Sequence, residues 1–200
     1  MAETIIDGQG KGYLAGVSSE NRLLSDSKSR PSEEVEAQNS RAFILHGECH
    51  TAAAASGGLL YFTNTSSVND VVVTRIYIDP CTITPTDLII TQVRTPATTA
   101  NGTDISSTGI VQKNYGTANS TIGTLVISDS SSDMTYTGGS QYHAFPAKTM
   151  TSLTRDMKGT NVITPNTTIL LGWKTASGSN ATDGEIVSLS INCFTRAILS

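Results

Sequence analysis

The sequence predicts an all-β protein, an antiparallel β-sandwich of jelly-roll type with an extended N-terminal arm. Three observations predict it. Ser and Thr make up about a quarter of the 200 residues, and strong helix formers rarely cluster. From Arg41 onward, short apolar runs alternate with clusters of Gly, Asn, Asp and Ser that supply turns. Finally, Asp79-Pro80, Thr84-Pro85, Thr95-Pro96 and Thr164-Pro165 fall between those runs, where proline removes no ladder hydrogen bond. Nine or ten strands in the 160 residues from Arg41 are what two packed antiparallel sheets require, and the jelly roll is a common architecture of that size.

The first element is the arm, residues 1–40. Gly8, Gly10, Gly12 and Gly16 punctuate it, and a charged stretch from Ser25 to Gln38 closes it. Gly12–Val17 and Arg22–Ser25 flank Ser18-Ser19-Glu20-Asn21 and suit a small hairpin, which is marginal in water unless it leans on something else. Pro31 and Ser32 precede Glu33-Glu34-Val35-Glu36-Ala37-Gln38, which reads equally as a one- or two-turn helix and as an extended linker.

The sandwich domain spans residues 41–200. Its expected strands run from Ala42 to Cys49, Leu59 to Asn64, Val71 to Asp79, Leu88 to Thr95 and Ile110 to Lys113, and then from Gly123 to Ser128, Gln141 to Pro146, Ser152 to Met157, Thr168 to Thr175 and Glu185 to Leu199. The last alternates cleanly, with Val187, Leu189, Ile191 and Cys193 on one face and Ser188, Ser190 and Asn192 on the other. In Val71–Asp79 the same period groups Val72, Thr74, Ile76 and Ile78 against Val71, Val73, Arg75 and Tyr77, so both faces are covered and the strand is expected to be central. The stretches Asn101–Gly109 and Asp129–Ser140 read as long exposed loops.

Composition excludes several classes. A net charge of -4 gives no field for nucleic acid or anionic lipid, so neither is an expected partner. No stretch approaches the ~20 apolar residues that span a bilayer, and the start lacks the basic and apolar regions of a signal peptide, so assembly in a host cytoplasm is expected. Cys49, Cys81 and Cys193 form no CxxC pair, and their odd number argues against a disulfide scaffold. Burial is expected for Cys193, while Cys81 stays undecided. The Asn-x-Ser/Thr triplets at Asn64, Asn101, Asn119, Asn166 and Asn180 follow from composition.

Candidate chemistry is sparse. Asp7-Gly8-Gln9-Gly10-Lys11-Gly12 lacks the Ser or Thr after Lys that a phosphate-binding loop needs, and only six residues precede Gly8, too few for a dinucleotide-binding unit. His46, Glu48 and His50 alternate along one strand and would project metal-capable atoms from one face, with His143 as the further ligand. The plainer reading, a polar outer strand face, is preferred, and no metal or cofactor is expected. No Gly-x-Ser-x-Gly elbow is present. Asp129, Asp133 and Asp183 read as solvated loop carboxylates rather than acid–base or calcium groups. Trp173 sits in an apolar run and is expected in the core, leaving Tyr115, Tyr136 and Tyr142 as the aromatics a sugar platform would use. No catalytic constellation emerges, and the chain is expected to be non-enzymatic.

The layout resembles small virion proteins of tailed bacteriophages. The resemblance lies in the Gly-rich opening from Asp7 to Gly16, in Val17-Ser18-Ser19-Glu20-Asn21-Arg22-Leu23, in Ser40-Arg41-Ala42-Phe43, in Leu59-Leu60-Tyr61-Phe62-Thr63-Asn64 and in Val71-Val72-Val73-Thr74-Arg75-Ile76. It covers the first 80 residues better than the rest. It implies a capsid-decoration, head-fibre or tail-associated component of the virion, trimeric, with the major capsid protein or other virion proteins as partners. In that setting the arm residues Asp7, Gly8, Gly10, Gly12, Tyr13, Leu14, Arg22 and Leu23 are expected to carry attachment, with many weak contacts summing over a lattice. The alternatives are a carbohydrate- or receptor-binding sandwich module of a phage tail or fibre, which needs exposed loop aromatics, and a glycan-cleaving enzyme, which needs two carboxylates about 5–10 Å apart.

Overall fold

Apolar and β-branched residues at alternate positions make a strand with one buried face, and the chain meets that condition repeatedly after Arg41. The computed structural model describes residues 16–17, 23–24, 41–81, 88–95, 98–113, 121–147, 151–178, 180–182 and 184–198, and they are nearly all antiparallel β. The chain divides into two units, Met1–Pro31 and Ser32–Ser200. In the first, β1 (Gly16–Val17) pairs with β2 (Leu23–Leu24), Gly16 opposite Leu24 and Val17 opposite Leu23. That is the described part of the expected hairpin. The helix or linker after Pro31 lies outside the described residues.

The second unit contains β3 (Ala42–His50), β4 (Ser56–Asn64), β5 (Asn69–Pro80), β6 (Leu88–Arg94), β7 (Thr98–Ala100), β8 (Thr103–Asp104), the single helical turn α1 (Ser106–Gly109) and β9 (Ile110–Gln112). It continues with β10 (Gly123–Ile127), β11 (Thr135–Thr137), β12 (Ser140–Ala147), β13 (Leu153–Ile163), β14 (Thr168–Thr175) and β15 (Ile186–Ala197). One sheet runs β12-β6-β14-β4-β10-β8 and the other β13-β5-β15-β3-β9. Taken in chain order, β3, β4, β5, β6, β12, β13, β14 and β15 pair first with last, second with seventh, third with sixth and fourth with fifth. This nested pairing is the jelly-roll order.

Between the sheets lies one core. Phe43, Leu45, Ile76, Ile78, Leu189 and Ile191 come from one sheet, and Leu60, Phe62, Ile90, Leu125, Leu171 and Trp173 from the other. Phe43, Leu60, Phe62 and Trp173 are each at most 1% exposed, so their side chains contribute about 1.5–3 kcal/mol apiece in apolar burial. β15 keeps the predicted phase, with Val187, Leu189, Ile191 and Cys193 all in the core.

β5 is central, between β13 and β15, but its predicted faces are corrected. Cys193 faces Val73 while Asn192 faces Arg75, leaving Thr74 as an extra residue. This bulge reverses the alternation, so Val71 and Val73 point inward on one side of it and Ile76 and Ile78 on the other. Thr74 Oγ1 donates to the Asn192 carbonyl at 3.1 Å across it. A second bulge, at Leu59 on β4, lets Leu59 and Leu60 both reach the core.

The stretches read as long exposed loops are mostly exposed or half-buried, as expected, but they carry the short strands β8 and β11 and the turn α1. They belong to the connection from β6 to β12. β7 and β11 pair as a ribbon, while β8, α1, β9 and β10 extend both sheets at the far edge beside β4 and β3. Met134 and Tyr136 fold onto Val93, Leu170, Tyr61 and Val126, a small apolar cluster separate from the main core. Its glycines are sites of close approach: a Cβ on Gly58 would lie 2.7 Å from Met134 Sδ, and one on Gly172 would lie 3.1 Å from Tyr136 Cε1.

Candidate functional site

The inner face of the sandwich carries polar side chains at one end. On β6, Ile90, Gln92 and Arg94 face inward, opposite Trp173, Leu171 and Ile169 of β14. Gln92 is fully buried, yet neither of its amide atoms has a hydrogen-bond partner. Across the core, β13 bulges between Asp156 and Asn161, and the phase it resumes puts Asn161 on the same face as buried Ile163. Arg94 Nη2 donates to Asn161 Oδ1 at 3.1 Å, joining the two sheets. The Arg94 guanidinium also lies over the Tyr142 ring, 3.9 Å from its centre. Tyr142 is the bulge residue of β12, between Gln141 and His143.

The neighbouring turn is held firmly. Asn64, fully buried on β4, donates through Nδ2 to the carbonyls of Asn69 and Ile163 at 2.9 and 3.0 Å. The Asn64 backbone pairs with Thr167 and Asn166. Within the turn Asn166 has φ 57°, and the Thr167 amide and hydroxyl donate to the Thr164 carbonyl at 3.1 and 2.7 Å. On the other side Thr95, with φ 45°, follows β6 in a region that β-branched residues avoid. Between these walls is a cleft of about 230 Å³ lined by Arg94, Thr95, Asn161, Val162, Ile163, Thr164, Thr167, Thr168 and Ile169.

Two N–H groups here are buried without acceptors, Arg94 Nε and Asn161 Nδ2. An unmet buried donor costs about 1–3 kcal/mol, so the site is poised to accept hydrogen-bond acceptors. Among the described residues no carboxylate pairs with Arg94. Neither Arg94 nor Asn161 was singled out from sequence. Arg94 and Asn161 are 67 positions apart on different sheets, and only the fold brings them together.

Of the arm residues named from sequence, Asp7, Gly8, Gly10, Gly12, Tyr13, Leu14 and Arg22 lie outside the described residues, and Leu23 pairs with Val17. His46, Glu48 and His50 do project from the outer face of β3, opposite Ser190, Ser188 and Ile186. His46 Nδ1 sits 2.8 Å from the Ser190 hydroxyl. His143 lies in the other sheet, on β12. Among the described residues no group of three His, Cys, Asp or Glu side chains is placed to hold a metal ion.

Cys49 and Cys193 are buried and Cys81 is exposed, and among the described residues no disulfide joins them. Burial, reinforced by Glu48, pushes the Cys49 thiol far above its ordinary range. Trp173 is in the core as expected, Tyr136 packs under the ribbon, and Tyr142 is exposed. Asp129 is a turn-former: bonds from the Thr103 hydroxyl, then from Ser131, pull its carboxyl down to about 2. Tyr115 and Asp183 lie outside the described residues.

Comparison of the chain with protein-family models, curated proteins and solved structures finds no match.

Proposed function

We propose that the protein is a non-enzymatic structural component of a tailed-phage virion, a capsid-decoration or other particle-surface protein that works by associating with copies of itself and with other virion proteins. The arm supplies attachment and the jelly roll supplies the subunit body. What supports the reading is the asymmetry of the sandwich edges. On one side the β6–β12 connection extends both sheets with β8, β10 and β9. On the other side β12 and β13 are the outermost strands, and Tyr142, Ala144, Pro146, Thr154 and Arg155 along them are exposed.

Exposed edges invite association, while the bulges on both strands and Pro146 limit endless strand addition. A Tyr–Arg pair at this edge matches the residue types enriched where proteins meet. The test is solution mass across a dilution series. Tyr142→Ser with Ala144→Glu is expected to shift the assembly to monomer, whereas Glu48→Lys, on the outer face of β3, is expected to leave it intact. Equal masses for wild type and both variants would remove this edge from the account.

A further inference from the structure

We propose that the cleft between β6, β13 and the β13–β14 turn binds a small carboxylate-bearing sugar, one acidic ring, with Arg94 and Asn161 receiving the carboxylate. This holds whether or not the chain assembles on a particle. The guanidinium is already positioned, with one face fixed against Tyr142 and Nη2 fixed by Asn161 Oδ1. What remains are two buried donors with no acceptor, Arg94 Nε and Asn161 Nδ2, and both residues line the cleft. Asn161 is 1% exposed, so bulk water does not satisfy its amide.

A ligand that completes this pair must bring acceptors and negative charge. A planar carboxylate does both, and the guanidinium fork matches its geometry. The rest of the lining points to a sugar rather than a bare ion. Val162, Ile163 and Ile169 contribute apolar lining suited to the C–H face of a ring, and Thr95 and Thr168 contribute polar lining suited to its hydroxyl groups, the Thr164 and Thr167 hydroxyls being held by each other and by the Thr164 carbonyl. A volume of about 230 Å³ exceeds the need of a single anion and falls below the ~300–1,000 Å³ of drug-sized sites, which leaves room for one ring.

The experiment is a titration of the full chain with glucuronate, glucose, acetate and inorganic phosphate, read by amide chemical shifts, alongside Asn161→Asp and Arg94→Lys. Asn161→Asp places an internal carboxylate on Arg94 and occupies the site. Arg94→Lys keeps the charge and loses the fork. Glucuronate is expected to bind in the millimolar range with shifts at Arg94, Asn161 and Thr164–Thr168, and glucose to bind roughly tenfold more weakly or worse. Asn161→Asp is expected to abolish binding with no fall in melting temperature, and Arg94→Lys to weaken it by roughly tenfold. Glucuronate binding no tighter than glucose, or unchanged in both variants, overturns the proposal. Acetate or phosphate binding as tightly as glucuronate overturns the sugar and leaves a bare-anion site.

Discussion

Asp129 accepts hydrogen bonds from Thr103, and from the amide and hydroxyl of Ser131 at 2.9 and 2.8 Å, so one half-buried carboxylate ties the start of the β10–β11 loop to β8. Its folded pKa of about 2 lies below the ordinary 3.8. A depressed carboxylate contributes stability that is full above about pH 4 and is lost as the pH falls through about 2. Asp129→Asn should therefore flatten the acid limb of the stability curve in that window and lower the plateau above about pH 4 by the same modest amount, because the group is only half-buried and partly screened. Urea midpoints at pH 2, 3, 4 and 7 check this, and an unchanged acid slope would assign it to other carboxylates. At this scale the sequence was legible for Trp173, Cys193 and the outward His46, Glu48 and His50. It was silent on Arg94 and Asn161, because an inward polar residue looks the same in sequence as an outward one until its strand has a phase.

Phase is set by the element, and one bulge explains where the reading of strand faces failed. All ten strands expected after Arg41 are present, because their apolar runs are long enough to register at period two. The faces of β5 were misassigned because Thr74 inserts one residue, and nothing local in Val71–Asp79 marks it. β7, β8 and β11 are two or three residues each and rich in Thr, so they carry too little periodicity to separate from a loop. Their ribbon depends on glycines opposite it. Gly58→Ala places its Cβ 2.7, 2.8 and 3.2 Å from Met134 Sδ, Cγ and Cβ and should cost about 1 kcal/mol, the unbranched Met134 side chain giving way. Gly123→Ala drives a Cβ into the Thr63 carbonyl and the Phe62 ring at the β10–β4 pairing, where backbone must move, and should cost roughly 3 kcal/mol. Denaturant unfolding of the two variants tests the order, and a reversal would contradict the packing of the ribbon.

For the molecule as a whole, composition and turn spacing were enough to read a two-sheet antiparallel sandwich. Strand order was not, because pairings between strands as far apart as β3 and β15 leave no local trace. β12 and β13 are the edge strands on the side away from the β8, β9 and β10 additions, and their side chains there are largely exposed. The proposal that this chain acts by assembling rests on that edge and on the arm. Light scattering of the full-length protein beside a chain beginning at Ser40 tests it most directly. A stable trimer is expected for the full-length chain, with loss of that trimer and a still-folded sandwich once the arm is removed. Well-behaved monomers from both, at every concentration, would contradict it.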